Sequence, residues 1–168
     1  MAPIRPFVRR GGERGSALVE FALTVPLLLV VIAGIVDFGF VFQRYEVITN
    51  AAREGARLAS LPEYQMNTTM IENRVRTYVQ QGLSLNTTAI NAVMPIGNVL
   101  VTNTPFTVTG GGGAVYTVQA TTVAVTYNHT FLLMQPILGL INKSWGTTMA
   151  LKATSQMRNE NPIPSGGS

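Results

Sequence analysis

The feature that most restricts this chain is the run from Ala17 to Phe42. Its 26 residues contain only two ionisable groups, Glu20 and Asp37, with sixteen uncharged residues between them. As a helix it would reach about 39 Å, more than the roughly 30 Å hydrocarbon core of a bilayer. Both carboxylates then fall near an interface, where Asp37 is expected to snorkel toward water. The net charge of +4 is concentrated ahead of this run, where Arg5, Arg9, Arg10 and Arg14 face only Glu13. The remainder is close to neutral. That asymmetry predicts a cytoplasmic N-terminus and an exported C-terminal part. It also argues against a nucleic-acid partner, which would need a basic patch on the folded domain.

A cleaved secretory signal is the competing reading of a basic start and an apolar core. Such a signal ends in small residues, whereas this run ends in Val36-Asp37-Phe38-Gly39-Phe40-Val41-Phe42. The helical pattern also continues. Val41, Tyr45, Ile48, Ala52, Gly55 and Ala59 recur at three- and four-residue spacing and define one face. Gln43, Arg44, Glu46, Arg53, Glu54 and Arg57 fall mostly on the others. One helix from Ala17 to about Ser60 is expected, loosened or kinked at Pro26, and stopped by Ser60-Leu61-Pro62.

Beyond it the chain reads as a small mixed domain. Thr69-Met70-Ile71-Glu72 has capping-box spacing, and Ile71, Val75, Tyr78 and Val79 form an apolar face ending at Gly82. These predict a helix over 68–81 with Gly82 as its cap. Strands are expected over 93–102, 114–128 and 147–157. In the third, Met149, Leu151, Ala153 and Met157 alternate with polar neighbours and should share the covered face. Asn103-Thr104-Pro105 and Gly110 to Gly113 read as loop, residues 129–146 as an irregular connection, and residues 159–168 as a disordered tail. The fold class is α+β: a long transmembrane and stalk helix packed on a small head with a second helix and about three antiparallel strands. The expected division is a basic leader over 1–15, helix over 16–60, head over 61–158, and tail.

Few constellations carry chemistry. Cysteine is absent, which removes disulfides and thiolate chemistry. His129 is the only histidine and has no acidic cluster near it, so it reads as structural or exposed. Gly110 to Gly113 lacks the Lys-Ser/Thr of a phosphate loop. The N-x-S/T triplets at Asn67, Asn86, Asn128 and Asn142 read as chance in a Thr- and Asn-rich chain. No nucleophile set or carboxylate pair can be defended, so no enzyme and no cofactor or metal is expected. What remains is Gly15-Ser16-Ala-Leu-Val-Glu20-Phe21. A glycine at the membrane face behind basic residues lets a peptidase approach the backbone. Cleavage after Gly15 would free an amine at Ser16, a partner for the Glu20 carboxylate in apolar surroundings. A plain signal anchor with an acid in its first turn is the alternative.

Basic leader, Gly15, Glu20-Phe21 and an apolar helix together resemble the N-terminus of a type IV prepilin. Residues 20–59 closely resemble the TadE-like family of tight adherence (Tad, or Flp) pilus systems. The shared features are Val25-Pro26-Leu27, Gly34-Ile-Val-Asp37-Phe-Gly39 and Thr49-Asn50-Ala-Ala-Arg53-Glu54-Gly55-Ala-Arg57. Val123 to Tyr127 and Ala153 to Glu160 are similar, more weakly, to strands that end such proteins. The resemblance implies a minor pseudopilin of the inner membrane, cut between Gly15 and Ser16 by a prepilin peptidase. Its partners would be other pilins and pseudopilins, the Tad secretion platform and membrane lipid. Glu20 and Phe21 would make an assembly contact, with Phe21 standing where the family typically has tyrosine. Asp37, Asn50, Arg53, Glu54, Gly55 and Arg57 would pack the helix block, either on the head or against a neighbouring subunit. A second function class stays open: an uncleaved single-pass protein whose head binds a ligand or envelope partner.

Overall fold

The computed structural model describes residues 12–64, 67–109, 111–113, 115–141 and 148–160. The leader arginines at 5, 9 and 10, the connection over 142–147 and the tail beyond 160 lie outside the described residues. Helix α1 runs from Gly12 to Ser60, 49 residues and about 74 Å. It is one α-helix throughout, with Pro26 inside it, so the expected weak point does not end the element. Just before Pro26, the Thr24 hydroxyl donates to the Glu20 carbonyl at 2.7 Å. At the other end the Ser60 hydroxyl donates to the Arg57 carbonyl at 2.8 Å, and Pro62 follows in a turn.

The two halves of α1 have different surfaces. From Leu18 to Phe42 large apolar side chains are exposed on every side, including Phe21, Leu28, Ile35 and Phe38. From Ile48 to Ala59 a stripe of Ile48, Ala51, Ala52, Gly55, Ala56 and Ala59 is buried. Tyr45, expected on that stripe, is instead half exposed. The small residues allow close approach. A Cβ on Gly55 would lie 2.6 Å from Val75 Cγ2 and 3.2 Å from Val123 Cγ1, so glycine is what the crossing accommodates.

Helix α2, Thr68–Gly82, packs Ile71, Val75 and Val79 onto this stripe. Its cap is not the expected Thr69 box. Asn67 Oδ1 accepts from the Met70 amide at 3.0 Å, and the next N-T-T triplet repeats the device, with Asn86 Oδ1 accepting from Ala89 at 2.7 Å. Two of the four N-x-S/T triplets are thus helix starts. Gly82 is not the left-handed cap either. That conformation belongs to Ser84, φ 52°, whose amide bonds to Gln81 while that of Leu85 bonds to Gln80. This is a Schellman ending. Gly82 is small for another reason: a Cβ there would lie 2.9 Å from Val47 Cγ1.

Asn86 opens a short helix, α3, Thr87–Val93. It occupies the start of the expected first strand, which begins only at Val99. Strand β1 (Val99–Thr109) then continues through Asn103-Thr104-Pro105, read from sequence as loop. Proline is compatible with an edge strand, and β1 is one. Strands β2 (Val115–Thr130) and β3 (Thr148–Arg158) complete a three-stranded antiparallel sheet in the order β1-β2-β3. The pairing runs Val99↔Val125 to Thr109↔Val115 on one side of β2, and Ala120↔Arg158 to Thr130↔Thr148 on the other. The β1–β2 ribbon therefore extends beyond β3. The α+β architecture expected from sequence is the one observed.

Along β2, Thr121, Val123, Val125, Tyr127 and His129 point inward by simple alternation. On β3 only Leu151 and Ala153 are buried, while Met149 and Met157 are partly exposed at its ends. Past β3 the buried Asn159 lies 2.8 Å from the Thr121 hydroxyl, and the Glu160 amide donates to the Ser60 carbonyl at 3.1 Å. The chain is therefore held to the head for the first two residues of the stretch expected as tail. Between β2 and β3, the connection expected to be irregular contains helix α4, Met134–Ile141.

Candidate functional site

The residues singled out by sequence fall into two groups along α1. Gly15, Ser16, Glu20 and Phe21 lie on its first turns and are all exposed. A Cβ on Gly15 would meet nothing within 4 Å, so the backbone there is open on that side. Among the described residues no cation pairs with Glu20.

Asp37, Asn50, Arg53, Glu54, Gly55 and Arg57 lie where α1 meets the head. Asp37 does not snorkel. It is 1 % exposed, and its carboxylate accepts four hydrogen bonds from three successive amides of the β2–α4 turn. Leu132 donates to Oδ1 at 3.1 Å, Leu133 to Oδ1 at 3.2 Å and to Oδ2 at 3.1 Å, and Met134 to Oδ2 at 2.7 Å. A helix start exposes amides without intrahelical partners, and here another helix supplies the acceptor. Sequence reasoning missed this because the two partners are 97 positions apart at most.

Beside Asp37 is a second polar pair. His129 is buried, with neither ring nitrogen hydrogen-bonded among the described residues, and packs edge-on to Phe131 at 5.2 Å. Burial lowers its pKa, as does the nearby Arg44 guanidinium, while the Asp37 carboxylate acts the other way. Arg44 lies over the Phe40 ring at 5.4 Å, and its Nη1 is buried without a hydrogen-bond partner among the described residues.

Higher on α1, Glu54 is a hub. It accepts from Arg57 Nε at 3.0 Å and Nη2 at 3.1 Å, and from Arg74 of α2 at 3.2 and 3.3 Å. The Arg57 hydrogen bond lowers the Glu54 pKa, burial opposes it, and Arg74 adds to the lowering. The Arg57 pKa is raised in return by that same hydrogen bond. The Arg74 pair ties α1 to α2 within one chain, while the Arg57 pair lies within α1. Arg74 carried no signal in the sequence, because its partner lies 20 residues upstream on a different helix. Arg53 is exposed and donates to the neutral Asn50 side chain at 3.2 Å. It shares a groove on the outward face of the stalk with Phe42, Tyr45, Glu46 and Thr49. Among the described residues no group of three His, Cys, Asp or Glu side chains is arranged to hold a metal.

The arrangement is one of packing and anchoring: a helix long and apolar enough to cross a membrane, continued as the spine of a head. The family model for TadE-like protein matches residues 15–57. No curated protein and no solved structure matches the chain. On that match the TadE-like resemblance read from the sequence holds over residues 15–57 of the 168, which suggests a pilus association, and the matched segment lies on one helix suited to a single membrane crossing.

Proposed function

We propose that this chain is a minor pseudopilin acting in the assembly or priming of a Tad-type pilus after its leader is cut between Gly15 and Ser16. The observation that carries the reading is the family match itself, which opens at Gly15 and ends at Arg57, spanning the anchor and the head-bearing stalk. Gly15 is the fourth residue of α1. A helix frays most readily in its end turns, and glycine weakens it further, by about 1 kcal/mol relative to alanine. Both favour presentation of an extended Gly15–Ser16 bond to an aspartic prepilin peptidase at the cytoplasmic face.

Hydrolysis would leave a Ser16 ammonium one helical turn from Glu20. In lipid a carboxylate is retained where it meets a positive partner, and the amine of an adjacent subunit supplies one. The head lies outside the membrane and offers the exposed Arg53 side of the stalk to other pilins or to the secretion platform. Mass spectrometry of the protein from cells with active prepilin peptidase should give a chain starting at Ser16. A chain starting at Met1 or Ala2 would sink the processing step. Glu20→Ala should abolish pilus assembly. Normal pili in that strain would remove the role given to Glu20 and favour an uncleaved protein acting through its head.

A further inference from the structure

The contact between Asp37 and α4 has a consequence for where the head sits. We infer that the β2–β3 connection, Phe131 to Ile141, is a second membrane-contacting element, seated in the outer leaflet beside α1 and held there by Asp37. The inference rests on reading α1 as membrane-spanning. From Ala17, twenty residue steps of helix rise about 30 Å, the thickness of the hydrocarbon core, and reach Asp37. The turn over 131–133 and the start of α4 therefore lie at the far hydrocarbon boundary. Gly34 of α1, one helical turn deeper, lines a cleft together with Asp37, Phe38, Phe131 and Met134.

The composition of the connection suits that depth. Phe-Leu-Leu-Met-Gln-Pro-Ile-Leu-Gly-Leu-Ile carries no charge over eleven residues. Leu132 is 65 % exposed, and Phe38 of α1, which lines the cleft with Phe131 and Met134, is exposed as well. The apolar surface of the anchor is thus continuous with that of the connection. The hydrogen bonding supplies an independent argument. Non-helical backbone persists at membrane depth only where its amides are satisfied by protein. Here the amides of Leu132, Leu133 and Met134 all end on Asp37, and the carboxylate in turn is fully engaged. In water that turn would need no such partner. Among possible occupants, acyl chains fit this surface because the anchor that borders it must already be covered by them.

The chain has no cysteine, so single spin labels can be placed directly. Full-length protein carrying Leu132→Cys, Leu28→Cys or Thr107→Cys would be reconstituted in phosphatidylethanolamine–phosphatidylglycerol vesicles. Collisional relaxation by oxygen and by a water-soluble nickel chelate is then measured. The label at position 132 should behave like that at 28, accessible to oxygen and shielded from nickel, and unlike that at 107. Nickel access at 132 with shielding kept at 28 would overturn the inference. Nickel access at 28 would instead remove the spanning reading, and the inference with it. Shielding at 132 that disappears on tenfold dilution into lipid would mean that a second copy covers the site, which also overturns it. In the Asp37→Ala background the label at 132 should lose its shielding while that at 28 keeps it; an unchanged label would overturn the role of Asp37.

Discussion

Gly55 of α1 and Val75 of α2 approach so closely that a single carbon added to the glycine would lie 2.6 Å from Val75 Cγ2. Val75 is fully buried, as is Val123 on the opposite side, so neither can turn away freely. Gly55→Ala should gain about 1 kcal/mol of helix propensity and lose about 1–3 kcal/mol to overpacking. The net result is destabilisation. Thermal unfolding in detergent should show a lowered midpoint, a lower one still for Gly55→Val, and partial recovery in Gly55→Ala/Val75→Ala. Gly39→Ala, where an added carbon meets nothing within 4 Å, should not lower it.

Asp37 holds the start of α4 through the three amides of Leu132, Leu133 and Met134. Loss of a side-chain cap costs about 0.5–2 kcal/mol. Asp37→Ala should therefore release α4 rather than unfold the head. Hydrogen exchange should report lost protection at those three amides, with the amides of Val123 and Val125 unchanged. Asp37→Asn, which keeps one acceptor oxygen, should fall between.

His129 gives the head a sensitivity to mild acid. Its folded pKa is lowered from the ordinary 6.5, by burial first and by Arg44 second, with Asp37 opposing. The unfolded chain therefore binds a proton at a pH where the folded chain does not. The stability this group provides is complete above pH 6.5 and is lost as the pH falls toward the folded pKa. The unfolding midpoint should drop between pH 7.5 and 5.5. His129→Phe, which keeps an aromatic ring beside Phe131, should flatten that drop.

Glu54 acts in a lower pH window. Its pKa is lowered from the ordinary 4.5, so its contribution is present above that value and is lost as the pH falls through the folded one. Both arginines that engage it have side chains more than half exposed, which limits what the pairs are worth. Glu54→Gln should lower the unfolding midpoint less than Gly55→Ala does. Added salt should shrink the difference from wild type.

Ser84 is the one non-glycine residue with positive φ among those described. The left-handed conformation costs an L-residue about 1–2 kcal/mol, and glycine gives back part of the gain as unfolded-state entropy. Ser84→Gly should raise the unfolding midpoint modestly, with the Schellman bonds of Ser84 and Leu85 intact by hydrogen exchange.

What could be read in the sequence was whatever depends on nearby residues. The apolar run, the small-residue stripe from Ala52 to Ala59, the α2 face of Ile71, Val75 and Val79, and the β-branched strands all follow from local periodicity. The differences have local and distant causes. Thr69 and Glu72 offer a familiar capping spacing, yet the cap is Asn67, and asparagine is the stronger N-cap type. Gly82, expected as the cap of the second helix, is instead small where it meets Val47. The loop expected at Asn103 to Pro105 is strand because β1 has a free edge. Nothing within a window of α1 indicates that the acceptors of Asp37 are filled by amides of the turn that follows β2.

Helix α1 joins the membrane segment to the head without an intervening loop, and from Leu27 to Ser60 it holds no proline and no break. The protein is therefore built like a key, with blade and shank in one piece. Turning the anchor about its axis by 100°, the angle between successive helical residues, turns the head by the same amount. In the proposed assembly, the side of Phe21, Leu28 and Ile35 that packs against a neighbour's helix would decide which face of the head looks toward that neighbour. A change of packing register inside the bilayer would be read out, undiminished, at the outer end of the β1–β2 ribbon.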